Sequence, residues 1–244
     1  MPNRVSILGI PFDNMTREEA IDRVYGMCAE PRNHRVVTPN SEIVYAAQLD
    51  MTLAEILRGS DFIAPDGIGV VIASKILKTP IREKVAGIEL GEGLIARAAQ
   101  GGERVFFLGA KPGVAQTAAD RLCEKYTGLV IAGVMDGYFK DEQAVIAAVN
   151  ASDAAILFVC LGAPKQERFM AEHQNELNVR VMLGLGGSLD VYAGVVPRAP
   201  DFWVKLGLEW FYRLCKQPSR IGRTMALPKF LWKVIRSKKK GVNP

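Results

Sequence analysis

Seven short runs rich in apolar, β-branched and aromatic residues recur along this chain. They are RVSILGI (4–10), RVVT (35–38), DFIA (61–64), RVFFLGA (104–110), LVIAG (129–133), AAILFVCLG (154–162) and VRVMLGL (179–185), and longer stretches of helical period separate most of them. Parallel strands need a crossover of a dozen or more residues, usually a helix. The alternation therefore predicts an α/β architecture, a mostly parallel sheet with helices on both faces. Helix starts are legible between the runs. Thr16-Arg17-Glu18-Glu19 reads as a capping box, with Ala20, Ile21, Val24, Met27 and Cys28 on one face behind it. Thr52-Leu53-Ala54-Glu55 reads as a second, and Pro112 stands where the first turn of a helix should follow RVFFLGA.

A chain of 244 residues, 49% hydrophobic, can bury one sizeable core. The composition shifts near residue 197, the expected boundary between an α/β core (1–197) and a basic helical appendage (198–244). The net charge of +5 is unevenly placed: residues 201–244 hold eleven Lys and Arg against two acids, whereas residues 1–200 are net acidic. No stretch reaches the roughly 18–20 apolar residues of a membrane span. MPNRVSILGIPFDN also lacks the basic-then-apolar layout of a signal peptide, so a cytoplasmic protein is expected.

In a doubly wound, Rossmann-like sheet, ligands bind outside the carboxyl ends of the strands. Five of those ends are polar or glycine-rich: Thr38-Pro39-Asn40-Ser41, Pro65-Asp66-Gly67, Lys111-Pro112-Gly113, Ala163-Pro164-Lys165-Gln166-Glu167 and Gly186-Gly187-Ser188-Leu189-Asp190. Asp66, directly after an apolar strand, suits a partly desolvated general base, although Asp-Gly is equally common turn chemistry. Gly109-Ala110-Lys111-Pro112-Gly113 before a helix suits backbone approach to a phosphate, and an ordinary βα turn reads as well. Three glycines in Gly184–Gly187 clear space for a ligand, with Asp190 placed to meet a ribose or base; a tight turn is the plainer account. Lys165, Gln166 and Glu167 follow the break after AAILFVCLG, and Gln166 is expected to project into the cleft.

Other chemistries have little to work with. Only His34 and His173 occur, and the four cysteines are far apart with no CxxC pair, so neither a histidine-based metal site nor a disulfide framework is signalled. No DxD is present, and no metal cofactor is expected. A leaving diphosphate would have to be neutralised by cations such as Arg213, Arg220 and Arg223, whose seven- and three-residue spacing puts them on one side of a helix-like segment; a solvated basic face is the alternative.

TPNSEIV (38–44), APDGIGVV (64–71), KVAG (84–87), FLGAKPGVA (107–115), DGYF (136–139), LGAPKQE (161–167), GLGGSLDVYAG (184–194), RAP (198–200) and LGLEWFYRL (206–214) occur in this order nearly end to end. In these blocks the chain resembles the WecG/TagA/CpsF glycosyltransferase family. The resemblance implies inverting transfer of a sugar, often N-acetylmannosamine or its uronic acid, from a UDP-sugar to a polyprenyl-diphosphate-linked acceptor on the inner membrane face. That is a step of cell-wall, teichoic acid or surface polysaccharide synthesis. Carried over by position, Asp66 resembles the general base, Thr38, Asn40 and Gln166 its pocket, and Asp190 a group near the uridine. Arg213, Arg220 and Arg223 resemble a cluster closing over the diphosphate. The family often has Arg where this chain has Lys84, a point charge without a bidentate fork.

A nucleotide-binding oxidoreductase of Rossmann type would share the sheet but should carry GxGxxG after an early strand, which ILGIPFDN is not. Nucleic acid is not an expected partner, because the positive charge is confined to the tail; an anionic membrane surface suits it better, and a homo-oligomer is left open. In the tail, Leu227, Phe230, Leu231, Val234 and Ile235 form one helical stripe, with Lys229, Lys233, Arg236 and Lys240 off it. Such a helix can lie in the headgroup layer or pack on the core, and peripheral docking on the membrane is the expectation.

Overall fold

A computed structural model describes residues 3–200, 202–203, 209–216 and 225–239. Six parallel strands form its main sheet: β3 (His34–Val37), β4 (Phe62–Ile63), β5 (Arg104–Gly109), β6 (Val130–Met135), β7 (Ile156–Cys160) and β8 (Val181–Gly184), in the order β4-β3-β8-β7-β5-β6. Along β7, alternate side chains enter two separate apolar clusters, Leu157 and Val159 one of them, Ile156, Phe158 and Cys160 the other. A strand covered on both faces has no solvent side, which is why these runs are apolar throughout.

One face carries α1 (Arg17–Gly26), α5 (Gly87–Gly101), α6 (Val114–Lys125) and α9 (Ser188–Tyr192). The other carries α2 (Ser41–Ala47), α3 (Met51–Arg58), α4 (Ile68–Ile76), α7 (Glu142–Ala151) and α8 (Lys165–Glu172). The helix Glu209–Lys216 is α10, and Ala226–Lys239 is α11.

Three sequence expectations need correction. The run RVSILGI does not enter the parallel sheet: β1 (Arg4–Ile7) pairs antiparallel with β2 (Ile10–Asp13). Leu8 and Gly9, both at positive φ (51° and 80°), make the two-residue turn that such a hairpin favours. Gln48 Nε2 donates to Leu8 O and Arg58 Nε to Gly9 O, so α2 and α3 hold the turn. The second capping box is replaced by Asp50, whose carboxylate accepts from Leu53 N at 3.0 Å and also pairs with Arg168 at 2.6 Å. Pro112 precedes rather than opens α6, because Gly113, at φ 82°, is the cap. The capping box at Thr16 is formed as expected, with Thr16 N donating to Glu19 Oε2 at 2.8 Å.

Most of the apolar stripe of α11 packs on the core instead of standing free for a headgroup layer, and Ile235 of that stripe stays exposed. Phe230 and Val234 are fully buried, in the cluster that also holds Val44 of α2 and Val70 of α4. A glycine makes this seat: a Cβ on Gly69 of α4 would lie 2.6 Å from Leu227 Cδ1. Lys238 Nζ donates to Ile76 O at the far end of α4, so α11 lies along that helix.

Candidate active site

Because all six strands are parallel, their carboxyl ends share one edge. The five polar strand ends read from the sequence lie there, joined by a sixth, Asp136-Gly137 after β6. Chain direction locates a crevice in that edge. From β5 the chain passes outward to β6, and from β7 it passes the other way to β8, although β5 and β7 are neighbours. The two loops leave opposite faces of the sheet and open a gap between them.

The loops flanking this gap are backbone-rich. Gly109 has φ 135°, and a Cβ there would lie 2.3 Å from Cys160 O, so only glycine lets β5 and β7 close at this point. Ala110 N donates to Cys160 O, and Gly137 N to Ala110 O. Gly113 ends the loop as the cap of α6, with no side chain bonded to the helix N-terminus and open space where its Cβ would stand. Val114 N is taken by Lys111 O, and the remaining first-turn N–H groups of this twelve-residue helix, uncapped by any side chain, can receive an anion. Gly187 caps α9, and Asp190 lies in that helix's first turn, half-buried, its charge close enough to act on Cys160. Burial chiefly, and then Asp190, pushes the Cys160 thiol up to about 12, so it remains a packing group.

At the β3–β4 end the groups are side chains. Asp66 is half-buried, and its N–H donates to Ala64 O. Gly67, at φ 80° and ψ 151°, then turns the chain into α4. Val85 N donates to Pro65 O at 3.1 Å, which ties the block containing Lys84 to the Asp66 turn. Thr38 is buried, donates to Gly184 O at 2.9 Å and lies against Gly87, where a Cβ would sit 2.8 Å from its hydroxyl. Asn40 caps α2, its side-chain oxygen accepting from Glu42 N and Ile43 N. Thr38, Asn40, Asp66 and Lys84 are thus brought to one end of the edge.

Between the two ends stands LGAPKQER, and its polar residues point four ways. Lys165 Nζ donates to Gly137 O and lies over the Phe139 ring; Arg168 reaches Asp50. Gln166 does not project into open space. It is 2% exposed, accepts from Gly186 N at 2.9 Å and donates to Glu167 Oε1 at 2.9 Å. Its amide can meet a donor and an acceptor at once, which suits a strut under the Gly184–Gly187 loop rather than a pocket wall. Glu167 is also buried, and desolvation raises its pKa against the opposing hydrogen bond from Gln166. Sequence reading missed both roles, and also the part of Asp136-Gly137, for which the DGYF block after the LVIAG run was the available signal.

Arg220 and Arg223, and the side chain of Arg213, lie outside the described residues. The described group with metal-ligand spacing is Glu142, Glu172 and His173. His173 is already held between Glu142 and Glu176 at 3.0 and 2.8 Å. No helix among the described residues is long and apolar enough to cross a membrane.

The sheet is doubly wound, and a hairpin stands where a dehydrogenase of this architecture would carry its early GxGxxG turn. The chain belongs to the glycosyl transferase WecG/TagA/CpsF family, whose model matches residues 5–243, and it is a glycosyltransferase. It is 39% identical over 209 residues, 86% of this chain and 81% of the relative, to the N-acetylglucosaminyldiphosphoundecaprenol N-acetyl-beta-D-mannosaminyltransferase of Bacillus spizizenii. Proteins of the same name from Bacillus subtilis (34% over 235 residues; 96% of this chain, 92% of the relative) and Staphylococcus aureus (35% over 240 residues; 97% and 94%) are also similar.

Proposed function

We propose that this enzyme transfers N-acetylmannosamine, or a closely related sugar, from a UDP-sugar to N-acetylglucosamine on a polyprenyl diphosphate, with inversion at the anomeric carbon. The acceptor is that of the named relatives, which the chain matches over most of its length. The observation that carries the reading is the placing of a carboxylate and a glycine-lined crevice on one edge, with β3 and β8 between β4 and β7. Three strand spacings amount to roughly 14 Å, room for a diphosphate and one sugar ring.

In this reading UDP lies across the Gly109–Gly113 and Gly187 loops, with Asp190 toward the ribose or uracil. Asp66 takes the proton of the acceptor hydroxyl as that oxygen bonds to the anomeric carbon. The bond from that carbon to the UDP oxygen breaks, and UDP leaves with the electron pair. Thr38, Asn40 and Lys84 line the sugar side, and Gln166 acts through the loop it supports. The N-terminus of α6 and the arginines 213, 220 and 223 offset the charge on the departing diphosphate, so no metal is required. The core (1–197) carries the chemistry, and the appendage (198–244) closes over it at the inner face of the membrane.

The test is a panel of UDP-sugars with a short-chain N-acetylglucosaminyl diphosphate lipid, with and without EDTA, and the anomeric configuration of the product read by NMR. The proposal expects one strongly preferred UDP-sugar, EDTA-resistant turnover and an inverted product. A retained configuration, or turnover abolished by EDTA and restored by a divalent ion, would refute it.

A further inference from the structure

Helix α11 carries two stripes. Leu227, Phe230, Leu231 and Val234 pack on the core, while positions 225, 228, 229, 232, 233, 236 and 237 recur at i, i+3, i+4, i+7, i+8, i+11 and i+12 and line a trough of about 1020 Å³. The opposite wall is the Leu8–Gly9 turn with Tyr45 of α2 and Gln48, the residue that ends that helix. Twelve residues of helical rise make the trough roughly 18 Å long.

The lining has a definite chemistry. Leu8, Tyr45, Met225, Pro228 and Trp232 make it apolar, and Met225 and Trp232 remain 52% and 61% exposed, so large hydrophobic surface is left uncovered. Lys229, Lys233 and Arg236 line the same stripe, Arg236 lying 5.2 Å from the Trp232 ring, and none of the described lining residues is acidic. An apolar channel walled by cations suits a hydrocarbon chain that bears an anionic group. A second copy of the chain fits poorly, because a two-fold pairing through this stripe would set the cations against themselves.

Position narrows the occupant further. At the start of α11, Leu227 touches Gly69, which lies in the first turn of α4, three residues beyond Asp66. Where α11 begins, the trough therefore runs beside the carboxylate end of the active edge, with the Leu8–Gly9 turn in its facing wall. We propose that the trough seats the first isoprene units of the acceptor's polyprenyl chain as it leaves the site, with the Lys229, Lys233 and Arg236 row favouring an anionic lipid over a neutral one. This rests on the acceptor class given under Proposed function.

Two measurements on the full chain test it. The first is calorimetric binding of geranylgeranyl diphosphate, inorganic diphosphate and geranylgeraniol to the wild type and to Trp232→Glu, Met225→Glu and Lys233→Glu. Geranylgeranyl diphosphate should bind more tightly than either fragment. Each Glu variant should weaken it about tenfold, the worth of a methylene or two of burial or of one lost ionic contact. Trp232 and Met225 are solvent-exposed, so these variants should melt with the wild type. The second is acceptor KM with two and with four isoprene units: the wild type should favour the longer chain, and the variants should lose that preference while donor KM holds.

Wild-type affinity in all three variants overturns the proposal. So does variant sensitivity toward phosphatidylglycerol vesicles with none toward geranylgeranyl diphosphate, which would mark an ordinary phospholipid site. A change in sedimentation with no change in lipid affinity overturns it in favour of self-association. If no UDP-sugar is turned over, the functional reading fails by itself, and the binding measurement still decides the trough.

Discussion

The two ends of the active edge are built from different parts of the chain. At β3 and β4 the groups offered are side chains, Thr38, Asn40, Asp66 and, tied in through Val85, Lys84. At β5 and β7 they are backbone, held in shapes that Gly109 (φ 135°), Gly113 (φ 82°) and Gly162 (φ 77°) permit. Side chains can supply a proton acceptor or a charge and be exchanged without moving the sheet. Backbone N–H groups can cradle a phosphate only while the loop keeps its form. Changes at Asp66 and Lys84 should alter rate with the fold intact, and changes at the second end should alter fold and ligand affinity together.

The largest effect should come from the side-chain end. Asp66→Asn keeps the shape and removes the base, so turnover should fall by about 10² or more, the usual reach of general base catalysis. Affinity for UDP and the melting temperature should stay near wild type. Near-normal turnover would break the contrast at its centre. Next comes Gly109→Ala, which puts a methyl 2.3 Å from Cys160 O at a φ that L residues avoid. It should cost about 2–4 kcal/mol and lower Tm by roughly 5–15 °C, with UDP affinity falling alongside. An unchanged Tm would show that the loop is slack. Lys84→Ala should raise donor KM roughly tenfold, the loss expected of one charged hydrogen bond, whereas Lys84→Arg should match or slightly improve on wild type. Unaltered kinetics in Lys84→Ala would remove that residue from the site.

How much of this was legible in the sequence follows the same division. Strands buried on both faces, such as β7 and β8, leave uninterrupted apolar runs, and the edge strand β6, only partly buried, keeps one too, so the six strands could be read directly, and with them the polar list at their carboxyl ends. RVSILGI misled because its composition is that of a sheet strand; Leu8-Gly9 breaks it, and one glycine inside an apolar run is a weak signal. Thr52 looked like a cap, but Asp50 is the better placed acceptor and gains Arg168 from 118 residues away, a contact no local pattern encodes. Gln166 was read as a cleft residue because polar side chains after a strand usually are. Its place in the fold depends on Gly186 arriving after β8, which is likewise a long-range fact.

Gln166 and Glu167 sit midway between the two ends and give the smallest of these effects, read in pH. Glu167 is 1% exposed, its Oε2 has no hydrogen-bond partner among the described residues, and desolvation raises its pKa although Gln166 donates to Oε1. The neutral acid is thus the form the fold prefers. A carboxyl whose pKa is higher in the folded than in the unfolded chain contributes stability that is complete below the unfolded value, and that contribution is lost as pH rises through the folded one. Glu167→Gln carries no proton to lose and keeps a similar shape. Wild type and variant should therefore differ least in acid, near and below the ordinary carboxylate pKa. With rising pH the variant should gain on the wild type, and the gap should level off once Glu167 is ionised. Thermal melts of both proteins across that range measure the gap directly. A gap that narrows with rising pH, or one independent of pH, would mean that Glu167 is ionised in the fold and that the strut beneath the glycine loop is a charged one.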